Sequence, residues 1–468
     1  YNKNFYCYVH GRGQIEIPIS ICTDYYPKYT WIKVLITDYK KESNEYQIKG
    51  KIVKKIPNNI DEIAKELFDL QELNETSNSN LIIQTRKYLT HLHTFTIDSL
   101  TTQDCDDAFS IQEEDNIWRV WVHISDVSEY FNPDSPQLFQ KIIERGITIY
   151  GDKQCWPMIP SNYAHNICSI LPDKVTKTHT CEFIVNKETC EVKPVDIYWS
   201  YIKSNEKRTY DNPGDLTGLR EGANWIKKQM DELDFYKPDH ESMDIVKFWM
   251  IMTNCTMAKT IHTIYRSHQA PIPEDIKRFT ELGDNREALK EYIKTHKTEI
   301  DMWRIKHIMP RANYNEDKKT GHWALGIFEP EVYTHWTSPI RRGTDLLNQC
   351  LLKGYKIDNL SQLIQKINEA RLFSDTIERW YEKFKSLEKI TKGMVLNGTI
   401  VDVLPTGIVV YMKEPYNDST TIHISQLSKE KLKFENKTLF NDTKIYKLND
   451  NVSLTVKSCE FGTCLFEI

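Results

Sequence analysis

The stretch that decides the fold runs Thr96-Ile-Asp98-Ser-Leu-Thr-Thr-Gln-Asp104-Cys-Asp106-Asp107-Ala108. It holds four carboxylates within ten residues, with strand-like text on either side, His93 to Ile97 before and Ala108 to Ile111 after. Carboxylates gathered between two apolar strands repel one another unless a cation or bulk water intervenes. Oxygen donors alone, without His or Cys, suit Mg²⁺ or Mn²⁺. An EF-hand is a poor fit, because the central Gly and the closing Glu of that loop are absent. Composition by itself leaves a solvated acidic turn as the alternative.

Motifs further along the chain decide between the two. They are Trp121-Val-His-Ile-Ser-Asp-Val-Ser128, Arg145-Gly146 through Tyr150 to Pro157-Met-Ile-Pro160, Asn166-Ile-Cys-Ser-Ile-Leu171, Tyr265-Arg-Ser-His-Gln-Ala-Pro271, Gly321-His-Trp323, and Tyr333-Thr-His-Trp-Thr-Ser-Pro-Ile-Arg-Arg342. In this order, and with the acidic stretch, they resemble the ribonuclease II/R (RNB) superfamily over roughly residues 85 to 350.

The resemblance implies an α+β catalytic RNB domain flanked by small all-β barrels of the OB type, cold-shock-like at the N-terminal side and S1-like at the C-terminal side. It implies hydrolysis of single-stranded RNA from the 3′ end to nucleoside 5′-monophosphates with Mg²⁺, or Mn²⁺ in its place. By motif position Asp98, Asp104 and Asp107 are metal ligands, and Asp106 matches the aspartate on which the chemical step depends. Whether Asp106 binds a second metal or orients water stays open. Arg341 matches the arginine that steadies the terminal phosphate, where a planar fork suits bidentate contact. Tyr150 matches an aromatic that stacks near the RNA end and Tyr210 a tyrosine near the terminal nucleotide, while His335 and Thr337 shape the loop that aims Arg341. These four form the expected RNA-binding set. His123 reads as a hydrogen-bonded core histidine.

The chain departs from the family pattern in three places. Gly343 stands where Tyr is usual, and is expected to loosen the backbone past the arginine and lower the rate. Gln349-Cys350 replaces the usual His-Arg. The helix beginning at Asp244 lacks a carboxylate near 247 to 248 although Asn254 stays, which weakens the expected ribose contacts. The competing function is an RNA-binding regulator on a dead RNB fold, but such a protein is expected to lose acidic residues, and all four are present.

Around this centre the chain divides by pattern. Short β-like runs at 5–9, 14–19, 31–36 and 46–53 predict a first barrel over residues 1–60, truncated at its start. Residues 61–390 read as the catalytic domain, entered by a helical linker over 61–80 with a polar break at 75–80. It closes with a helix from about Ser361 to Ile390, on which Leu363, Ile367, Ala370, Ile377, Trp380, Phe384 and Leu387 share a face. At Lys392-Gly393 the period changes to two, predicting an S1-like barrel over 391–468. Basic runs at Lys49, Lys51, Lys54 and Lys55, and at Lys429, Lys431, Lys433 and Lys437, are expected to steer RNA, with Tyr411, Phe434 and Tyr446 available for stacking.

Composition bounds the rest. The 468 residues suggest about three domains. With 40% hydrophobic and 27% charged residues, disorder is excluded as the main state. No apolar run nears the ~18 residues of a spanning helix, so no membrane partner is expected. The net charge of −5 means that RNA must be held by local basic surface. The eleven cysteines, an odd number without a C-x-x-C pair, are expected to be free thiols in an intracellular, reducing compartment, most simply the cytoplasm. The chain opens at Tyr1, which leaves an upstream targeting segment open. Oligomeric state is not legible.

Overall fold

The computed structural model describes residues 4–9, 13–18, 32–42, 45–57, 59–68, 85–151, 154–230, 240–261, 264–280, 286–296, 298–317, 321–326, 332–428, 431–460 and 463–467. The chain forms two compact units, one from 72–150 and 155–374, the other from 1–71, 151–154 and 375–468.

The first unit is built on six strands: β1 (Lys87–Tyr88), β2 (Thr94–Asp98), β3 (Asp107–Glu113), β4 (Ile117–Ser125), β5 (Val175–Asn186) and β6 (Val192–Thr209). Their order is β5-β4-β3-β2-β6-β1, and a further β5–β6 pairing curls the sheet back on itself. Pairing is mixed, since β6 runs parallel to β1 and β2 and antiparallel to β5. Alternation along the strands gives the sheet two different faces. Phe95, Ile97, Phe109, Val120, Val122 and Phe183 pack with helices α2 (Thr217–Gln229) and α3 (Glu241–Ile261), whereas Ala108, Trp121 and Ile202 join Cys105 and Ile170 in a separate, smaller core. Close approach of α2 to α3 depends on Gly222, where an added Cβ would lie 2.5 Å from the ring of Trp249.

A second core joins α1 (Pro136–Arg145), α4 (Gly343–Leu352) and the first half of α5 (Leu360–Glu388). On α1 it is the i, i+4 pairs Leu138–Ile142 and Phe139–Ile143 that are buried, and Gly146 ends the helix at φ 72°. The long helix predicted to start near Ser361 is present, with Ile367, Ala370, Ile377 and Leu387 buried; the side chains of Trp380 and Phe384 lie outside the described set.

In the other unit, strands Asn4–Val9, Gly13–Pro18, Ile32–Glu42 and Glu45–Lys55 form a four-stranded sheet, and a helix spans Ile60–Phe68. The polar break expected at 75–80 and Lys429 lie outside the described residues. Strands β7 (Val395–Leu404), β8 (Gly407–Met412), β9 (Asp418–His423), β10 (Asn451–Glu460) and β11 (Thr463–Glu467) make an antiparallel sheet in the order β9-β8-β7-β10-β11. A three-stranded sheet from Lys433–Glu435, Thr438–Phe440 and Ile445–Lys447 was not anticipated.

Two expectations are corrected here. Tyr411 and Tyr446 are not free to stack: both are buried, with their hydroxyls donating to Asn417 Oδ1 at 3.0 Å and to the Leu427 carbonyl at 3.2 Å, and only Phe434 is exposed. Nor are all cysteines free: seven described ones are thiols, but Cys464 is disulfide-bonded, in a hairpin whose register sets Cys459 opposite Cys464. Among the described residues no helix is long and apolar enough to cross a membrane.

Candidate active site

Asp98 closes β2 and Asp107 opens β3, so the acidic stretch is the connection between two neighbouring strands of the sheet. Its turn is held at both ends. Ser99 and Thr102 share a hydroxyl contact of 2.7 Å, and Ser169 Oγ donates to the Gln103 carbonyl at 2.8 Å while accepting from the Cys105 amide at 3.0 Å. The Ser125 amide from the end of β4 donates to the Asp106 carbonyl at 2.9 Å. The backbone of this connection is therefore fixed before any ligand arrives.

The result is an open cavity of about 460 Å³, lined by Asp98, Asp104, Asp106, Asp107, Tyr150, Tyr210 and Arg341 together with the 99–103 turn. That volume is in the range of small-molecule sites. All the residues expected as metal ligands and catalytic groups, together with Tyr150 and Tyr210, thus meet here. His335 and Thr337 do not line the cavity. His335 Nδ1 pairs with the Tyr314 hydroxyl at 2.6 Å, and the buried Thr337 hydroxyl accepts from Arg342 at 3.4 Å.

Asp106 is almost fully buried, at 3% exposure. Its Oδ1 accepts from the Ile340 amide at 2.8 Å, and Arg341 Nε stands 3.4 Å from Oδ2, which has no hydrogen bond. Burial pushes the carboxyl well above its ordinary value; Asp104 and Asp107 add to the rise, and Arg341 and the Ile340 amide oppose it. Asp107 and Asp98 are likewise raised by burial, and Asp98 adds to the rise at Asp107, while the Cys105 thiol and Lys207 favour the charged form of Asp98. Asp104 accepts from the Tyr150 hydroxyl at 3.2 Å, and 47% of Tyr150 is exposed. Tyr210 is half-buried, its amide donating to the Asp98 carbonyl at 3.2 Å.

Arg341 lies on a loop fastened at several points. The Arg341 and Arg342 amides both donate to the Ser338 carbonyl, and the Thr148 amide donates to the Arg341 carbonyl at 3.0 Å. The expectation that Gly343 loosens this backbone is overturned. Its amide donates to the Gly146 carbonyl at 2.7 Å, and an added Cβ would meet that oxygen at 3.1 Å and Ile367 at 3.3 Å. Glycine here permits close packing of α4. The Gln349 departure is structural too: its Oε1 accepts from the Val127 and Ser128 amides at 3.1 and 3.2 Å, and its Nε2 donates to the Ser125 carbonyl at 2.7 Å. Asn254 is buried and spends its amide on Tyr333 and Trp336. His123 is buried between Ser110 and Thr180 and pushed down to about 3 by desolvation.

As placed, no three Asp, Glu, His or Cys side chains among the described residues are gathered closely enough to hold one metal ion. The donor set still fits a hard cation. Asp106 Oδ2 is a buried acceptor without a hydrogen bond, and the carboxyls raised by burial and by one another would be relieved by positive charge. Sequence reasoning missed Cys155 and His165, which also line the cavity. Their only signal was position, Cys155 inside the motif that runs from Arg145 to Pro160 and His165 just before Asn166.

The model of the RNB domain matches residues 86–235 and 219–358, more than half of the chain. The chain belongs to the RNB family. Among its relatives, ribonuclease R 1 of Lactococcus lactis is 26% identical over 392 residues, 70% of this chain and 46% of that protein. Ribonuclease R of Chlamydia pneumoniae is 26% identical, covering 76% of this chain and 60% of its own, and that of Escherichia coli K12 is 24% identical, covering 78% and 54%. This RNB chain thus spans about half the length of the curated relatives it matches. Mycoplasma genitalium RNase R, solved with ribose-methylated single-stranded RNA, superposes with a TM-score of 0.75 at 18% identity, over 97% of this chain and 85% of that one. Yeast Ssd1, described as a pseudonuclease, gives a TM-score of 0.71 at 16% identity, over 91% and 64%. These two structures share the RNB fold with this chain.

Proposed function

We propose that this chain is a hydrolytic exoribonuclease that degrades single-stranded RNA from its 3′ end to nucleoside 5′-monophosphates with a divalent cation. The observation that carries the reading is Asp106, a buried carboxyl held between the Ile340 amide and Arg341 at the floor of an acidic cavity. Asp98, Asp104 and Asp107 would hold Mg²⁺ or Mn²⁺, which when bound activates water and offsets charge on the reacting phosphate. Arg341, half-exposed at the cavity, presents its remaining N–H groups to a phosphate oxygen. Tyr150 offers a stacking face to the terminal base, and Tyr210 borders the same space. We assign residues 1–60 to a cold-shock-like barrel, 61–390 to the catalytic domain and 391–468 to an S1-like barrel, the outer two guiding RNA by their lysines.

An RNA-binding protein without nuclease activity is the second reading, favoured by the likeness to Ssd1 and by carboxylates that do not converge on one ion. A 5′-labelled oligoadenylate separates the two. Stepwise shortening with Mg²⁺ that stops with EDTA is expected; RNA bound but left intact in Mg²⁺ and in Mn²⁺ would establish the second reading.

A further inference from the structure

Outside the acidic cavity the same unit holds two neighbouring arginines that no carboxylate among the described residues pairs with. Arg266, on the strand Tyr265–Ser267, is 9% exposed, and Arg371 lies on α5. Both guanidinium groups lie over the ring of Tyr314, at 4.9 and 5.5 Å from its centroid. One N–H nitrogen of each, Nη1, is buried with no hydrogen-bond partner, and neither arginine forms an ion pair among the described residues. Arg342 adds a third cation, but it is paired with Asp345 at 2.7 Å. The Tyr314 hydroxyl sits 2.6 Å from His335 Nδ1, and burial together with these three arginines holds His335 well below its ordinary value. Burial, with Arg371 and Arg342 beside it, also brings Arg266 down to about 10.

An unsatisfied buried donor costs about 1 to 3 kcal/mol, more when charged, and like charges so placed raise the cost. The arrangement is nevertheless firmly built. The Arg266 amide donates to the Tyr333 carbonyl at 2.7 Å, and Tyr314 exchanges two hydrogen bonds of 2.9 Å with the Asn368 side chain of α5. Arg342, His335 and Arg371 are each part-exposed, so the cluster borders the surface of the unit. Two guanidinium forks with free N–H groups fit a tetrahedral oxyanion.

We propose that Arg266 and Arg371, across Tyr314 and beside His335, form a phosphate-binding site separate from the acidic cavity, none of whose lining residues they share. The phosphate is carried either by the backbone of a bound RNA or by a free phosphate or mononucleotide, and only the first source rests on the nuclease function proposed above.

Thermal unfolding of the full chain with inorganic phosphate, against sodium chloride of equal ionic strength, tests the site without RNA. Phosphate is expected to raise the wild-type Tm, and Arg371→Gln and the conservative Arg266→Lys to abolish most of that rise. In the second arm, Arg371→Gln should weaken binding of a labelled oligonucleotide about tenfold, as loss of a charged hydrogen bond does. A single internal methylphosphonate should reproduce that loss in the wild type and add nothing in the variant if the RNA backbone is the carrier; a phosphate effect on Tm with no change in RNA affinity identifies the free ion. Equal Tm responses in wild type and both variants, with unchanged RNA affinity, overturn the site. A chain that responds to phosphate through Arg371 but never cleaves RNA refutes the nuclease function alone, and one that cleaves RNA but is indifferent to phosphate and to Arg371→Gln refutes this site alone.

Discussion

Asp106 divides its two oxygens between different tasks: Oδ1 is fixed by the Ile340 amide, and Oδ2 faces Arg341 and the cavity. Amide replacement preserves the shape and removes the charge. Asp106→Asn is therefore expected to keep RNA affinity and lower single-turnover cleavage at least ~100-fold, the pattern of a group that acts in the transition state. Cleavage near the wild-type rate at wild-type affinity would remove the assignment. Arg341→Ala should lower cleavage far more than affinity for a long RNA, since other phosphates remain held, and Arg341→Lys should restore little because a point charge lacks the fork. At this scale much was legible, because the acidic stretch and the Ser338-Pro-Ile-Arg341 loop are contiguous motifs. What could not be read was which side chains lie behind the loop. His335 and Thr337 are close to Arg341 in the sequence, yet they turn toward Tyr314 and Arg342, and nothing in their spacing distinguishes the two directions.

Helix α4 is the element that delivers Arg341, and it is fastened at both ends. At its start Gly343 packs on Gly146, so Gly343→Ala should destabilise the protein by about 1 to 3 kcal/mol through overpacking, read as a lower denaturation midpoint. A neutral effect would mean that Ile367 yields more easily than its 3.3 Å approach suggests. At its end Lys353 is buried against Asp126 and Glu129, which also pair with Arg86. Burial raises both carboxyls, but Lys353 and its partners outweigh it and hold them below their ordinary values. Carboxyls lowered on folding contribute stability that is complete above their unfolded values near ~4 and is lost as pH falls through the lower folded ones. Lys353→Met should thus cost about 3 kcal/mol or more at pH 7, by leaving Asp126 short of a partner, and the gap between variant and wild type should close in strong acid. A gap independent of pH would place the effect in packing. The long helix and the strands of the outer segments were legible from periodicity, whereas α4 itself was not. Nor was this charge network, since Arg86 and Lys353 are far in the sequence from Asp126 and Glu129 and from each other.

Each of the three largest buried cores among the described residues draws on one unit: Phe95 to Trp336 in one case, Val127 to Ile367 in a second, and Leu387 to Phe466 in the third. The change of period at Lys392-Gly393 falls inside the segment that builds the third, which already includes Leu387 and Ile390, and no local pattern could tell that 1–71 and 375–468 belong to one compact unit. Removal of residues 391–468 takes away most of the third core, exposing Leu387 and Ile390, and leaves the first two whole. The truncated chain should therefore keep a cooperative unfolding transition for the central unit. It also loses the exposed lysines of that segment, Lys431, Lys433 and Lys447 among them, and with them the phosphates they are proposed to neutralise. Affinity for long RNA should fall, and the slope of log affinity against log salt should flatten by about 0.7 for each phosphate of a single strand that is no longer neutralised. A short oligonucleotide at saturating concentration should still be cut, because every residue around the acidic cavity belongs to the central unit. A truncated protein that unfolds cooperatively yet cleaves nothing at saturation would mean that the C-terminal segment takes part in the reaction itself, and not only in guiding RNA to it.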